Sequence, residues 1–225
     1  MPDSSMNNYD NNSEGGNMTE LMVEDFAEAI SHGMVVSELA VLLSRELGHD
    51  DEFCRVMAVA GMLHDIGKLK LGDFLHLKRS EAMVVEKLKV VRLHSRYSRD
   101  ILKSMGYSDE IQDIVYHHHE NYDGTGYPDN IAGNDIPEGA RILRVCDVYA
   151  ALISDRSYRK AFTEKVAVEL MIEEAMHFDV KVFLAFLNVI HYDGYEKVRR
   201  LTGQRIDASA EAYLREYFSQ NELHI

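Results

Sequence analysis

The sequence predicts an all-α fold, and three observations predict it. From Thr19 onward, apolar residues recur at spacings of three and four, the period of one helix face. No stretch shows the sustained alternation of a strand. Only 3 prolines occur (Pro2, Pro128 and Pro137), so little of the backbone is barred from a helix. The 225 residues suit one domain, and with 46% of them hydrophobic the chain can bury a single substantial core.

Taken in order, residues 1–18 are Asn, Ser, Gly and Asp with almost nothing to bury, and are expected to be a disordered tail. Thr19 is a candidate cap for a helix that opens with Leu21, Met22, Phe26, Ala29 and Ile30. The pattern continues over 35–47 and stops at Gly48. Asp51 is a candidate cap for the next helix, through Val56, Val59 and Leu63 to about residue 66. Residues 69–80 are a connection, and helical periodicity returns over 81–105 and 109–119. The stretch 121–139 holds four of the 14 glycines and two of the three prolines. It is predicted to be a loop, and loops of that length are often functional. Beyond it, 138–154, 164–176, 179–190 and 208–219 read as helices. The expected organisation is a catalytic domain over 19–205 with a C-terminal helix, 206–225, packed on it.

Net charge is −14, from 24 basic and 38 acidic residues. That balance argues against binding a nucleic-acid polymer or an anionic membrane. It allows a small phosphorylated ligand if metal ions and a few cations reverse the field locally. No uninterrupted apolar stretch long enough to span a bilayer is expected, and the amino terminus lacks a basic-then-apolar layout. Cys54 and Cys146 sit in apolar helical patterns and are expected to be buried, reduced thiols. The cytoplasm is the expected location.

Five features carry chemistry. Glu28 and His32 are four apart, so they share a helix face; by itself the pair fits a surface hydrogen bond as well as a ligand pair. His64-Asp65-Ile66-Gly67-Lys68 follows the apolar run 59–63 and puts imidazole, carboxylate and ammonium where burial is expected. Imidazole and carboxylate both suit first-row metals, and an aspartate has two oxygens with which to bridge two ions. His117-His118-His119-Glu120 places three imidazoles in different directions, so two of the three can converge on one site. Asp147 interrupts the apolar run 142–148, where an unpaired buried carboxylate would cost several kcal/mol. A metal or a histidine is its natural partner. His94 is a lone histidine at a helix edge.

Together, HDIGK (64–68), HHENYDGTGYP (118–128), ARILRVCD (140–147) and DRSYRK (155–160) resemble the HD-GYP family of the HD superfamily of metal-dependent phosphohydrolases. The resemblance covers roughly 26–190. It implies an HD-domain helical bundle with a GYP loop and extra C-terminal helices. It also implies a phosphodiesterase that hydrolyses cyclic di-GMP to linear pGpG or GMP, using two or three divalent ions, iron or manganese, with zinc possible. By resemblance the metal ligands are His32, His64, Asp65, His94, His118, His119 and Asp147, with Asp65 bridging. Glu28 falls where the trinuclear branch carries an extra carboxylate. Lys68 matches the lysine near the scissile phosphate, and the catalytic pair is Asp65 and Lys68. Tyr127 and Pro128 match the loop that borders the substrate and is linked to a protein partner. Arg156 and Arg159 match basic residues that face the phosphates.

The chain departs from the family at several places. Ala150 stands where the family has a second aspartate, on the substrate side, which implies altered nucleotide affinity or preference. His94 is followed by Ser-Arg-Tyr-Ser98, where the family has a proline and then a glycine. The rival functions are hydrolysis of another cyclic dinucleotide or nucleotide, and a non-catalytic nucleotide-binding module that docks through the GYP loop.

Overall fold

The computed structural model describes residues 12–71, 89–155, 159–202, 208–210, 212–213 and 216. The described residues are mostly helical, with no extended strand among them. The α-helices are α1 (Asn12–Glu46), α2 (Asp51–Leu63), α3 (His94–Ser104), α4 (Asp109–Tyr116), α5 (Glu138–Ile153), α6 (Glu164–Glu173), α7 (Val180–Val189) and α8 (Glu196–Thr202). Short 3-10 turns lie at Ile66–Leu71, Gly133–Asp135, Ala175–His177 and Asp193–Tyr195.

Helix α1 is the axis of the bundle, 35 residues and therefore about 50 Å long. Val35, Val36, Leu39, Ala40 and Leu43 are buried along one side of it, and α2, α5, α7 and α8 all pack against it. Its segment Phe26–Glu46 is long and apolar enough to cross a membrane by length and composition. That corrects the expectation drawn from uninterrupted apolar runs, which His32, Ser37 and Glu38 break. Part of that apolar character is buried in the core, through Val35, Val36, Leu39, Ala40 and Leu43.

Two boundaries differ from those expected. Helix α1 already runs through Thr19 and begins at Asn12, so residues 12–18 are not the predicted tail. Once a helix is nucleated, each further residue adds a hydrogen bond at little cost, and a polar composition does not stop it. The cap of α2 is Asp50, whose carboxylate accepts from Phe53 N–H at 2.9 Å, and Asp51 is the first helical residue. Gly48, past the end of α1, has φ +86°, as a helix stop requires. Ser108, Thr163 and Asp179 cap α4, α6 and α7. Helix α8 falls in a stretch not assigned to a helix from the sequence. The expected C-terminal helix lies only partly within the described residues, where 208–210, 212–213 and 216 are helical.

The packing of α1 on α2 positions the site. Ser37 Oγ donates to Ala58 O at 2.8 Å. A Cβ on Gly61 would stand 2.8 Å from Ser37 Cα and 2.9 Å from Ser37 N, so the two backbones approach as only glycine permits. This crossing lies next to His32 on α1 and three residues before His64 on α2, and their rings come to 5.3 Å, edge to face.

Candidate metal centre

The end of α2, the start of α3, the end of α4 and the middles of α1 and α5 each deliver polar groups to one place. His64 follows the last residue of α2 and His94 is the first residue of α3. His118 lies just beyond α4 and Asp147 within α5. Two groups of ligand atoms result: His32, His64 and Asp147 in one, and Asp65, His94, His118 and His119 in the other. Within each group the atoms lie within 4.8 Å of one another.

The backbone decides which nitrogen of each ring faces the centre. His64 Nδ1 donates to Gly61 O at 2.8 Å, His94 Nδ1 to Val91 O at 2.6 Å, and His118 Nδ1 to Val115 O at 2.5 Å. A carbonyl can only accept, so Nδ1 carries the proton in all three and Nε2 presents its lone pair inward. His94 Nε2 then lies 3.3 Å from His118 Nε2, lone pair towards lone pair. Burial lowers the pKa of His94, and lowers that of His118 to about 3, so neither ring holds a second proton to relieve this. His119 Nε2 lies 3.0 Å from His94 Nε2. Such a set is satisfied by a cation between the rings.

The carboxylates complete each group. Asp147 Oδ1 is 2.9 Å from His32 Nε2 and 3.6 Å from His64 Nε2. Asp65 sets Oδ2 3.3 Å from His64 Nε2 and Oδ1 3.3 Å from His94 Nε2, so its two oxygens face the two groups. Burial alone would raise both aspartates. The charges of His64 and Lys68 for Asp65, and the hydrogen bond from His32 with the nearby His64 for Asp147, hold both well below the ordinary carboxylate range. Burial likewise disfavours a charged His64, yet Asp65 and Asp147 outweigh it and raise that ring to about 10. Positive charge is therefore wanted at this position. His64 Nε2 and Asp65 Oδ1 are also buried with no hydrogen-bond partner among the described residues. Orphaned inward-facing lone pairs, mixed nitrogen and oxygen donors and a carboxylate shared between the groups all fit divalent first-row metal ions.

Seven of the eight expected ligands are thus brought together. Glu28 is not among the converging atoms; it lies half-buried one helical turn before His32. His117 stays outside, with Nδ1 3.0 Å from Asp113 O and Nε2 3.4 Å from Asp129 Oδ2, where it ties α4 to the loop. Lys68 Nζ lies 2.6 Å from Asp65 Oδ2, at the edge of the centre. Tyr127 stacks on His119 with ring centres 4.7 Å apart, and Pro128 follows it through a cis peptide bond. Arg156 lies outside the described residues. Arg159 donates to the carbonyls of Ala151, Leu152 and Lys160, so its guanidinium is committed to the end of α5. Ala150 is fully buried and belongs to the hydrophobic core. This corrects its expected place on the substrate side: α5 is packed on this face.

Several residues that shape the site were not expected from the sequence. Ser98 Oγ, fully buried, donates to His64 O at 2.7 Å and accepts from Gly67 N–H at 2.8 Å, which fastens the HDIGK turn to α3. Glu120 Oε1 accepts from Asp129 N–H at 2.7 Å and Asn130 N–H at 3.0 Å, which closes the loop. Arg144 Nε donates to Asn121 Oδ1 at 3.0 Å, and the Arg92 guanidinium lies 5.2 Å over the Tyr127 ring. The only signal for Arg144 in the sequence is a cation inside an apolar run, one turn before Asp147.

The pattern that defines the HD domain family matches residues 14–182. The chain is similar to the cyclic di-GMP phosphodiesterase PA4108 of Pseudomonas aeruginosa, 35% identical over 81% of this chain and 44% of the relative. It is also similar to the 3'3'-cGAMP-specific phosphodiesterase 2 of Vibrio cholerae, 32% identical over 62% of this chain and 27% of that one. The chain thus spans less than half the length of these curated relatives. Among solved structures, Bd1817, an HDG"Y"P protein from Bdellovibrio bacteriovorus, shares the fold with a TM-score of 0.59 and 19% identity. That match covers 73% of this chain and 53% of the other.

Proposed function

Because the chain belongs to the HD domain family, we propose that it is a metal-dependent phosphodiesterase that hydrolyses cyclic di-GMP to linear pGpG or GMP. The observation that carries the reading is Asp65: its two oxygens face two separate ligand groups while Lys68 Nζ stands 2.6 Å away.

His32, His64 and Asp147 would hold one ion and His94, His118 and His119 the other, with Asp65 between them. Iron or manganese fits these donors. Such ions, when bound, supply Lewis acidity that makes water a nucleophile near neutral pH and draws charge from a phosphate. The protein's part is to fix the rings through the carbonyls of Gly61, Val91 and Val115 and to keep the lone pairs free for coordination. Lys68, two-fifths exposed, can turn from Asp65 to a phosphate oxygen and offset the charge that grows there. Tyr127 walls the loop side of the centre through its stack on His119. Glu28, one turn from His32, is assigned to a third ion; Glu28→Ala should lower the metal count by about one and spare the other two ions. Buried, unpaired Cys54 and Cys146 agree with a cytoplasmic location.

The test is anaerobic loading with iron or manganese, followed by elemental analysis and chromatography of the products from cyclic di-GMP. Two or more ions per chain with no hydrolysis would refute the reading. A second substrate, a 3'3'-cyclic GMP-AMP, belongs in the same assay, because one of the relatives bears that specificity in its name.

A further inference from the structure

Two arginines on α5 are used differently. Arg141 is committed: it donates to Ile136 O, Asn134 Oδ1 and the Asp179 carboxylate, which joins α5 to α7. Arg144, half-buried and one turn before Asp147, is anchored only through Nε, to Asn121 Oδ1 at 3.0 Å. Asn121 is itself buried and donates from Nδ2 to Thr125 Oγ1 at 2.9 Å, so the anchor is fixed within the loop. The two terminal NH₂ groups of Arg144 have no hydrogen bond or ion pair among the described residues.

Their surroundings are those of the metal centre. Asn121, which anchors Arg144, stands two residues after His119, and Asp147 lies one turn along α5 from Arg144. The Arg92 guanidinium lies over the ring of Tyr127, which belongs to the same loop and stacks on His119, in a chain of net charge −14. A guanidinium held by one nitrogen and presenting two parallel donors matches the oxygens of a phosphate. Lys68 and the two ligand groups already account for the phosphate that reacts. Lys68 belongs to the turn after α2, whereas Arg144 comes from α5 and is held by the loop. A cyclic dinucleotide carries a second phosphodiester across its ring from the first.

We infer that Arg144, oriented by Asn121, binds the non-reacting phosphate of the substrate through its two terminal NH₂ groups. The inference rests on the phosphodiesterase reading above. It makes Arg144 a determinant of selectivity for substrates with two phosphates over those with one.

The experiment compares metal-loaded wild type, Arg144→Met and Arg144→Lys on cyclic di-GMP and on bis(4-nitrophenyl) phosphate, which has a single phosphate. In Arg144→Met, kcat/KM for cyclic di-GMP should fall about ten- to a hundredfold more than for the small diester, mainly through KM. Metal content should match the wild type, and the melting temperature should fall by no more than a few degrees, the same for both assays, as loss of one hydrogen bond to Asn121 requires. Arg144→Lys, which keeps the charge but loses the paired donors, should recover only part of the loss. Calorimetric binding of the bis-phosphorothioate analogue of cyclic di-GMP should weaken by the same factor in Arg144→Met. An equal loss on both substrates, or unchanged binding of the analogue, would overturn the assignment. Wild-type protein that holds its ions but hydrolyses neither compound would overturn the functional reading instead, and the calorimetry then decides Arg144 separately. Failure of the wild type to bind the analogue overturns both.

Discussion

Ser98→Ala should lower the unfolding free energy by about 2–4 kcal/mol and weaken metal binding at the same time. The hydroxyl is fully buried and makes two hydrogen bonds, 2.7 Å to His64 O and 2.8 Å from Gly67 N–H. Each contributes about 1 kcal/mol net, and the variant leaves a buried donor and a buried acceptor without partners, which costs more than the mean bond. No cavity larger than one oxygen is made, so little else enters. A loss of this size corresponds to a fall of roughly 5–15 °C in the Tm of a domain of 150–250 residues. The functional effect follows from position: the lost bonds fasten the turn that carries His64 and Asp65 to the helix that carries His94. Urea unfolding of metal-free protein measures the first effect, and retention of ions during dialysis against a weak chelator measures the second. An unfolding free energy within 0.5 kcal/mol of wild type (roughly the scatter of a surface substitution) together with full metal content would refute the reasoning.

Asp65→Ala should reduce the metal content to one ion or none by elemental analysis, since no other carboxylate among the described residues faces both ligand groups; two retained ions would sink the bridging role. Ala150→Asp should destabilise the protein by several kcal/mol in urea, because it puts a carboxylate into the core. A stable variant with tighter cyclic di-GMP binding would show that this face of α5 reaches the substrate after all. Metal-free protein should lose stability as pH falls below about 6.5. Burial lowers His94 and His119 and takes His118 to about 3, so the unfolded chain protonates first and each ring costs up to about 1.4 kcal/mol per pH unit. His64 has the opposite sign: raised to about 10, its contribution is complete below about 6.5 and is lost as pH rises towards 10. Urea midpoints from pH 4.5 to 9.5 should therefore peak near 6.5, and a flat profile would contradict the assignments.

Some of the candidate ligands were legible in the sequence because they offend their surroundings, whereas His32 and His94 entered only through the family resemblance. His64, Asp65 and Asp147 sit in or beside apolar runs, where a polar side chain calls for a partner, and HDIGK and HHENYDGTGYP are local patterns. Helix existence was legible for a similar reason, since apolar period is a local property. What escaped notice depends on contacts through space. Ser98 looks like any serine until His64 O and Gly67 N–H meet it from 34 and 31 residues away. Asn121 and Arg144 gain meaning only by touching each other. Ala150 was assigned from motif position, but its environment is set by the helices that pack on α5. Arg159 was likewise assigned from motif position, and the acceptors it meets are backbone carbonyls. Between Asp50 and Asp51, two adjacent carboxylates offer equal capping chemistry, and only the backbone angle chooses.

The His32–Asp147 pair joins residues 115 positions apart. A chain emerging from the ribosome thus carries all five candidate histidine ligands, with Asp65, before the last carboxylate exists. Until α5 is made and docks on α1, His32 and His64 lack the carboxylate that completes their group, whereas the group of Asp65, His94, His118 and His119 draws nothing from α5. An ion that then settles between His32 and Asp147 acts as a clasp on nearly the whole span of the centre. It withdraws freedom from a much longer stretch of unfolded chain than any neighbouring pair could. If the centre holds ions as proposed, metal supply during synthesis would bear on how much of this protein persists, apart from any part the ions play in turnover.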